Sequence, residues 1–284
     1  LNTLIKGHAE KTAMAAKKFG HWTDPGTALI TGASSGLGAE FARQLSARGF
    51  GLVLVARRED LLEQLAQELR ERTHFAVDVL AADLGQQAGV DRVVERIRST
   101  KNLDVLVNNA GFGIPGGFAD CDFDRMIEMM TVHMIAPVYL TRAAIPVMAA
   151  RDRGAIVNTA SLAAFNPSGG MYSPTKAFLV SLSEGLAMEL HANHILVQAL
   201  CPGFTHTGFH DTSPELGKFK ENVPKVAWGS AGHVVKASLS GLAKGKIIVI
   251  PGLVNKFIMI IPHNLRKRVS GNWRRGEARE PAPG

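Results

Sequence analysis

Tyr172 and Lys176 stand four residues apart in Tyr-Ser-Pro-Thr-Lys, a spacing that puts a phenol and an ammonium group on one face of a helix. Such a pair suits proton exchange with an oxygen that gains or loses negative charge. A phenol ionises near pH 10, and bringing it close to 7 requires roughly 4 kcal/mol of differential stabilisation, at about 1.4 kcal/mol per unit. An exposed ion pair supplies less than that. The expectation is therefore a dry cleft in which the lysine and a second positive charge acidify the phenol. The same four-residue pattern also arises by chance, but the chain has only two tyrosines, and Tyr139 is followed by Ala143 at the matching position. Ser161, eleven residues upstream of Tyr172, offers a hydroxyl to the same oxygen; a serine that merely caps a loop is the alternative.

A second constellation suits binding. Thr31-Gly32-Ala33-Ser34-Ser35-Gly36-Leu37-Gly38 follows a short apolar run and opens an amphipathic stretch. Glycines there allow a tight turn and close backbone approach, so that a pyrophosphate can meet free N–H groups at a helix N-terminus. At the end of the next apolar run, where NAD-preferring folds carry an acid for the ribose hydroxyls, the chain has Ala56 followed by Arg57 and Arg58. An arginine clamps a 2′-phosphate with charge-assisted bonds. Arg57 is the expected clamp and NADP(H) the expected cofactor, the other arginine being solvated. Asp83 is positioned either to accept from an adenine amino group or to cap a helix. Asn108-Asn109-Ala110-Gly111 brings small and amide residues to a strand end, as a cofactor crevice or as a side-chain-bonded turn.

These residues are carried on an alternation of strand-length apolar runs and longer amphipathic stretches. The runs are Thr27–Thr31, Gly51–Ala56, Phe75–Leu80, Leu103–Val107, Ala155–Thr159, Ile195–Leu200 and Lys246–Ile250. Helix-like stretches cover Gly38–Ala47, Asp60–Arg72, Val90–Arg98, Phe123–Ala149 and Tyr172–His191, with a helical excursion or loop over Asp211–Val226. The pattern predicts an α/β fold: one doubly wound domain with about seven parallel strands covered by helices on both faces. Its bounds are 25–252, between an extension at 1–24 and a basic segment at 253–284.

The 284 residues carry a net charge of +7, but the distribution matters more than the total. The first 24 residues sum to +2, the last 32 to +5, and the stretch between them to zero. A neutral body argues against nucleic acid as a partner. Leu253–Ile261 is apolar and precedes Arg266-Lys267-Arg268 and Arg274-Arg275. That segment either touches an anionic membrane surface peripherally or packs on the domain or a partner copy. No apolar run nears the roughly 20 residues of a membrane span, and none of signal-peptide length occurs near the N-terminus, which argues against export. Two cysteines, Cys121 and Cys201, frame no disulfide scaffold and fit a reduced, cytoplasmic setting. His206 has no companions at metal-ligand spacing, so no metal is expected.

Taken in order, these motifs resemble the short-chain dehydrogenase/reductase superfamily over about Pro25–Gly252. The resemblance implies a Rossmann fold, NAD(P)(H), and Thr31, Gly32, Ser34, Gly36, Leu37 and Gly38 at the cofactor phosphates, with Asn109 beside the adenosine. It further implies Ser161, Tyr172 and Lys176 as the catalytic trio, Lys176 also holding the nicotinamide ribose, with the nicotinamide supplying the second positive charge when oxidised. In Cys201-Pro202-Gly203-Phe204-Thr205-His206-Thr207 it implies Pro202, Gly203 and Thr207 around the nicotinamide, where the hydroxyl of Thr205 could also reach the carboxamide.

Two departures stand out. The family's usual fourth catalytic residue is an asparagine that holds a water leading protons to the lysine, and the matching position is His133. Histidine can hold such a water too, or it packs in the helix while the relay runs elsewhere. The Ser-to-Tyr interval is also shorter than usual, which trims the loop over the substrate site. Phe165, Asn166, Pro167, Met171, Phe204, Phe209 and Phe219 line an apolar substrate pocket or else pack as core and lid. The branch looks most like bacterial general reductases, 3-oxoacyl reductases and hydroxysteroid dehydrogenases. An NADP(H)-dependent oxidoreductase acting on a lipophilic carbonyl or secondary alcohol is thus expected, as a homo-oligomer. The competing reading, which His133 alone favours, is a non-catalytic NADPH-binding sensor or scaffold.

Overall fold

Strands that are apolar on both faces need cover on both sides, and the order of the elements supplies it. The computed structural model describes residues 19, 20, 22–166, 170–206, 228–252, 255 and 256. Thr207, Pro167, Phe209, Phe219, the 211–226 excursion and most of both terminal segments lie outside the described residues. In chain order the elements are β1 (Thr27–Thr31), α1 (Gly36–Ser46), β2 (Gly51–Ala56), α2 (Glu59–Arg72), β3 (Val77–Ala81), α3 (Gln87–Ser99) and β4 (Leu103–Asn108). There follow α4 (Phe123–Met130), a π-helical turn (Thr131–Ile135), α5 (Ala136–Ala150), β5 (Gly154–Thr159), a 3-10 turn (Leu162–Phe165) and α6 (Tyr172–Glu189). The last are β6 (Ile195–Leu200), the short pair β7 (Thr205–His206) and β8 (Gly229–Ser230), α7 (Ala231–Ala243) and β9 (Ile248–Val249).

Seven strands form one parallel sheet in the order β3-β2-β1-β4-β5-β6-β9, the doubly wound Rossmann arrangement. Alternate residues of each strand face opposite layers. Ala28 and Ile30 of β1 pack with Phe41, Leu62, Val235 and Leu239 of α1, α2 and α7. Leu29, between them, packs with Val93, Leu140 and Met148 of α3 and α5. The third strand begins two residues later than expected, and Phe75 is exposed.

Two findings depart from the sequence expectation. The continuous helical run Phe123–Ala150 is, by length and composition, long and apolar enough to cross a membrane. Reading for uninterrupted apolar runs passes over it because Arg142 stands inside it. Half of its most apolar window is buried in this fold. The domain boundary at Asp24 also falls inside a packed segment. Phe19 and Trp22 are buried against Phe50, and Arg153 lies over the Trp22 ring and pairs with Asp24 and the fully buried Asp104.

Candidate active site

The strand order reverses between β1 and β4, and ligands of open α/β sheets bind outside the carboxyl ends of the strands at such a point. The turns leaving those two strands are tied together. The amide N–H groups of Asn109 and Ala110 donate to Thr31 Oγ1 at 2.9 and 3.0 Å, and Asn109 Nδ2 donates to the Thr31 carbonyl. Gly32 has φ +65°, and a Cβ on it would meet Ala110 Cα at 2.9 Å; one on Gly38 would meet the Gly32 carbonyl at 2.2 Å. Only glycine lets the turn lie this close to β4. Ser35 is the N-cap of α1 without a side-chain capping bond, so Gly36 and Leu37 open the helix with backbone N–H groups suited to an anion.

The arginines after β2 divide differently from expectation. Arg57 turns to Glu128 (3.3 Å), which also pairs with Arg125. Arg58 reaches back over the glycine-rich turn and donates to Ser34 Oγ at 3.0 Å and Ser35 Oγ at 3.3 Å. Arg58 is exposed, as expected of one of the two, and is the arginine on the turn. No sequence signal separates the two, because the choice depends on Glu128, seventy residues away. With cations and hydroxyls where an acid would otherwise stand, the site fits a 2′-phosphorylated dinucleotide. Asp83 accepts from the Gly85 N–H at 3.0 Å, which is a turn-capping bond leading into α3.

Tyr172 and Lys176 occupy the first turns of α6, as their spacing requires. Lys176 Nζ donates to the Thr159 carbonyl at the end of β5 (2.9 Å) and lies 5.5 Å from the centre of the Tyr172 ring. Ser161, which follows β5, hydrogen-bonds the phenol and accepts from the Ala163 N–H. Burial lowers Lys176 to about 8, opposed by the nearby Cys201 sulfur. Burial also drives the phenol up to about 12, against the lowering effect of Ser161. Without the second positive charge, the protein's own groups keep Tyr172 protonated, because desolvation outweighs the polar contacts.

His133 is 1% exposed, and both ring nitrogens are engaged by protein groups. Nε2 accepts from the Phe112 N–H at 3.0 Å, and Nδ1 lies 3.0 Å from Thr175 Oγ1. Burial holds the ring well below the usual imidazole range, and the Lys176 charge adds to that. With one hydrogen bond on each nitrogen, the ring has no site left for a relay water, so of its two readings the packed histidine fits the geometry.

Residues 26–215 match the short chain dehydrogenase family. The chain belongs to that family, and is an oxidoreductase. This dehydrogenase is 33% identical to a short-chain dehydrogenase from Sphingobium yanoikuyae solved in complex with NADPH, with a TM-score of 0.74 over 92% of this chain and 98% of the other. The bulky-bulky ketone specific alcohol dehydrogenase of Comamonas testosteroni gives 32% identity and a TM-score of 0.73 over the same shares. A very-long-chain 3-oxoacyl-CoA reductase of Anas platyrhynchos is 32% identical over 214 residues, which is 72% of this chain and 68% of that protein.

Other positions in the dehydrogenase follow from the same geometry. The Leu162 N–H donates to the Pro202 carbonyl at 3.0 Å, which ties the Ser161 segment to the turn after β6. A Cβ on Gly203 would meet the Asn255 side chain at 2.7 Å, so this turn is packed from the C-terminal side. Thr205 Oγ1 donates to the Gly203 carbonyl, which leaves its oxygen able to accept. Phe165 packs against Leu179 and Cys201, while Phe204 faces Trp228 at 5.6 Å; Met171 is half-buried directly before Tyr172, and Asn166 is exposed. A Cβ on Gly111 would meet His133 Nε2 at 2.8 Å, a steric requirement invisible until the two segments are brought together.

Proposed function

We propose that the chain is an NADP(H)-dependent reductase of lipophilic ketones or 3-oxoacyl thioesters. The observation that carries this reading is the convergence of Ser161, Tyr172 and Lys176 beside the glycine-rich turn. When bound, NADPH supplies a hydride equivalent to the carbonyl carbon. Ser161 holds the carbonyl oxygen beside the phenol. Tyr172, kept protonated by its burial, donates its proton as that oxygen gains charge. Lys176, fixed on the Thr159 carbonyl, stabilises the phenolate left behind and positions the ribose. Arg58, Ser34 and Arg57 recognise the 2′-phosphate, with Asn109, Ala110 and Gly111 along the adenosine side and Pro202 and Gly203 at the nicotinamide. Met171 and Phe204, next in sequence to Tyr172 and Gly203, and Phe165, four residues after Ser161, suit an apolar substrate, in keeping with the ketones and 3-oxoacyl thioesters named for the relatives.

The reading includes a homo-oligomer, since Ile127, Ile135, Val138 and Tyr139 are exposed on one helical run. It also includes peripheral membrane contact through the basic C-terminal segment, which rests on sequence alone; sedimentation and flotation with anionic vesicles check the two. The activity is tested by following NADPH absorbance across a panel of bulky ketones and 3-oxoacyl thioesters. Turnover by the native chain, lost in Tyr172→Phe with NADPH binding intact, is expected. Equal turnover by that variant removes the mechanism, and tight NADPH binding with no turnover of any substrate favours the sensor.

A further inference from the structure

We propose that His133 is a positioning residue: its ring latches the helix bearing Tyr172 to the turn that follows β4, and so sets where the phenol stands. The latch deepens the reductase reading and rests on it for its kinetic consequence.

The hydrogen-bond directions leave one arrangement. Thr175 has a single hydroxyl proton, and it donates to the Tyr172 carbonyl at 2.8 Å. Its oxygen is then the acceptor at 3.0 Å from His133 Nδ1, so Nδ1 carries the ring proton. Nε2 must accept, and the group facing it at 3.0 Å is the Phe112 N–H, a donor only. The neutral Nδ1–H form satisfies every partner. An Nε2–H ring would place two donors against each other, and the protonated ring would do the same.

The route of these bonds makes the ring more than packing. One arm ends, through Thr175, on the backbone of Tyr172 itself, within the four-residue interval that also sets Lys176. The other holds the first residue after Asn108-Asn109-Ala110-Gly111, the turn bonded to the end of β1. Two ring contacts reinforce the arms: His133 meets Phe112 edge-on at 5.9 Å and Tyr172 at 5.8 Å. The geometry is built for this side chain. Gly111 admits Nε2 where a Cβ would not fit, and the π-helical turn Thr131–Ile135 carries the ring inward, as such turns do at functional sites. A displacement of the phenol by about 1 Å is worth up to about a hundredfold in rate, so a latch on its backbone acts on kcat more than on cofactor binding.

The test combines a direct readout with a kinetic one. Nitrogen-15 NMR of the histidine-labelled chain is expected to show His133 as the Nδ1–H form; the opposite form overturns the proposal. Thr175→Val removes the hydroxyl at nearly constant volume and is expected to lower kcat about tenfold with KM for NADPH changed by less than about twofold, while Thr175→Ser restores most of it. Unaltered kcat in Thr175→Val means the ring only packs, and overturns the proposal. If the native chain turns over no substrate, the reductase reading fails and the latch is judged by Tyr172 ionisation. Thr175→Val should then bring the phenol's ionisation down toward about pH 10, and an unmoved midpoint overturns the latch.

Discussion

Arg58 Nη2 donates to Ser34 Oγ across the mouth of the glycine-rich turn, while its neighbour Arg57 is drawn aside by Glu128. A guanidinium already joined to two hydroxyls of the turn is preorganised for a phosphate, and charge-assisted bonds to phosphate are the strong ones.

Arg58→Ala is therefore expected to weaken NADPH binding by about ten- to a hundredfold and NADH binding hardly at all. Arg57→Ala should cost NADPH less, because Glu128 offsets part of its charge. Fluorescence titration of both variants with both dinucleotides measures this. A larger loss from Arg57 than from Arg58 reverses the order of the two clamps.

Tyr172 offers a spectroscopic prediction. Burial disfavours the phenolate, so its ionisation moves up, to about 12. The ultraviolet difference between the wild type and Tyr172→Phe should contain no tyrosinate signal from neutral pH up to about pH 10. An ionisation near 7 in the cofactor-free protein would mean that Lys176 alone acidifies the phenol.

The strands and the glycine-rich turn were legible because their signals are local: apolar runs of strand length, and glycines at fixed steps where a strand gives way to a helix. Tyr172 and Lys176 were legible for the same reason, since helical periodicity alone brings them together. Ser161 depends on the sheet, yet its place directly after β5 made it recoverable. What escaped the sequence depends on contacts between distant segments. Arg58 and Arg57 are adjacent and chemically alike, and only Glu128 separates them. The environment of His133 is built from Gly111, Phe112 and Thr175, none of which is near it in sequence. The ionisation of Tyr172 in the cofactor-free chain depends on its depth of burial, which chain order does not show.

The acid stability of the fold is the last consequence of the His133 environment. The folded ring is held well below its ordinary value, by burial first and by the Lys176 charge second. As pH falls through about 6.5 the unfolded chain takes up a proton at this residue and the folded chain does not. The stability contributed by the neutral ring is thus fully present above that pH and declines below it, at about 1.4 kcal/mol per pH unit. Urea denaturation of the wild type and His133→Asn across that decline isolates the effect, because the other histidines contribute equally to both. The variant is expected to start from lower stability but to lose less on acidification, by about one proton in the slope of stability against pH. Parallel slopes for the two proteins would place His133 in contact with solvent and remove the buried neutral ring from the account.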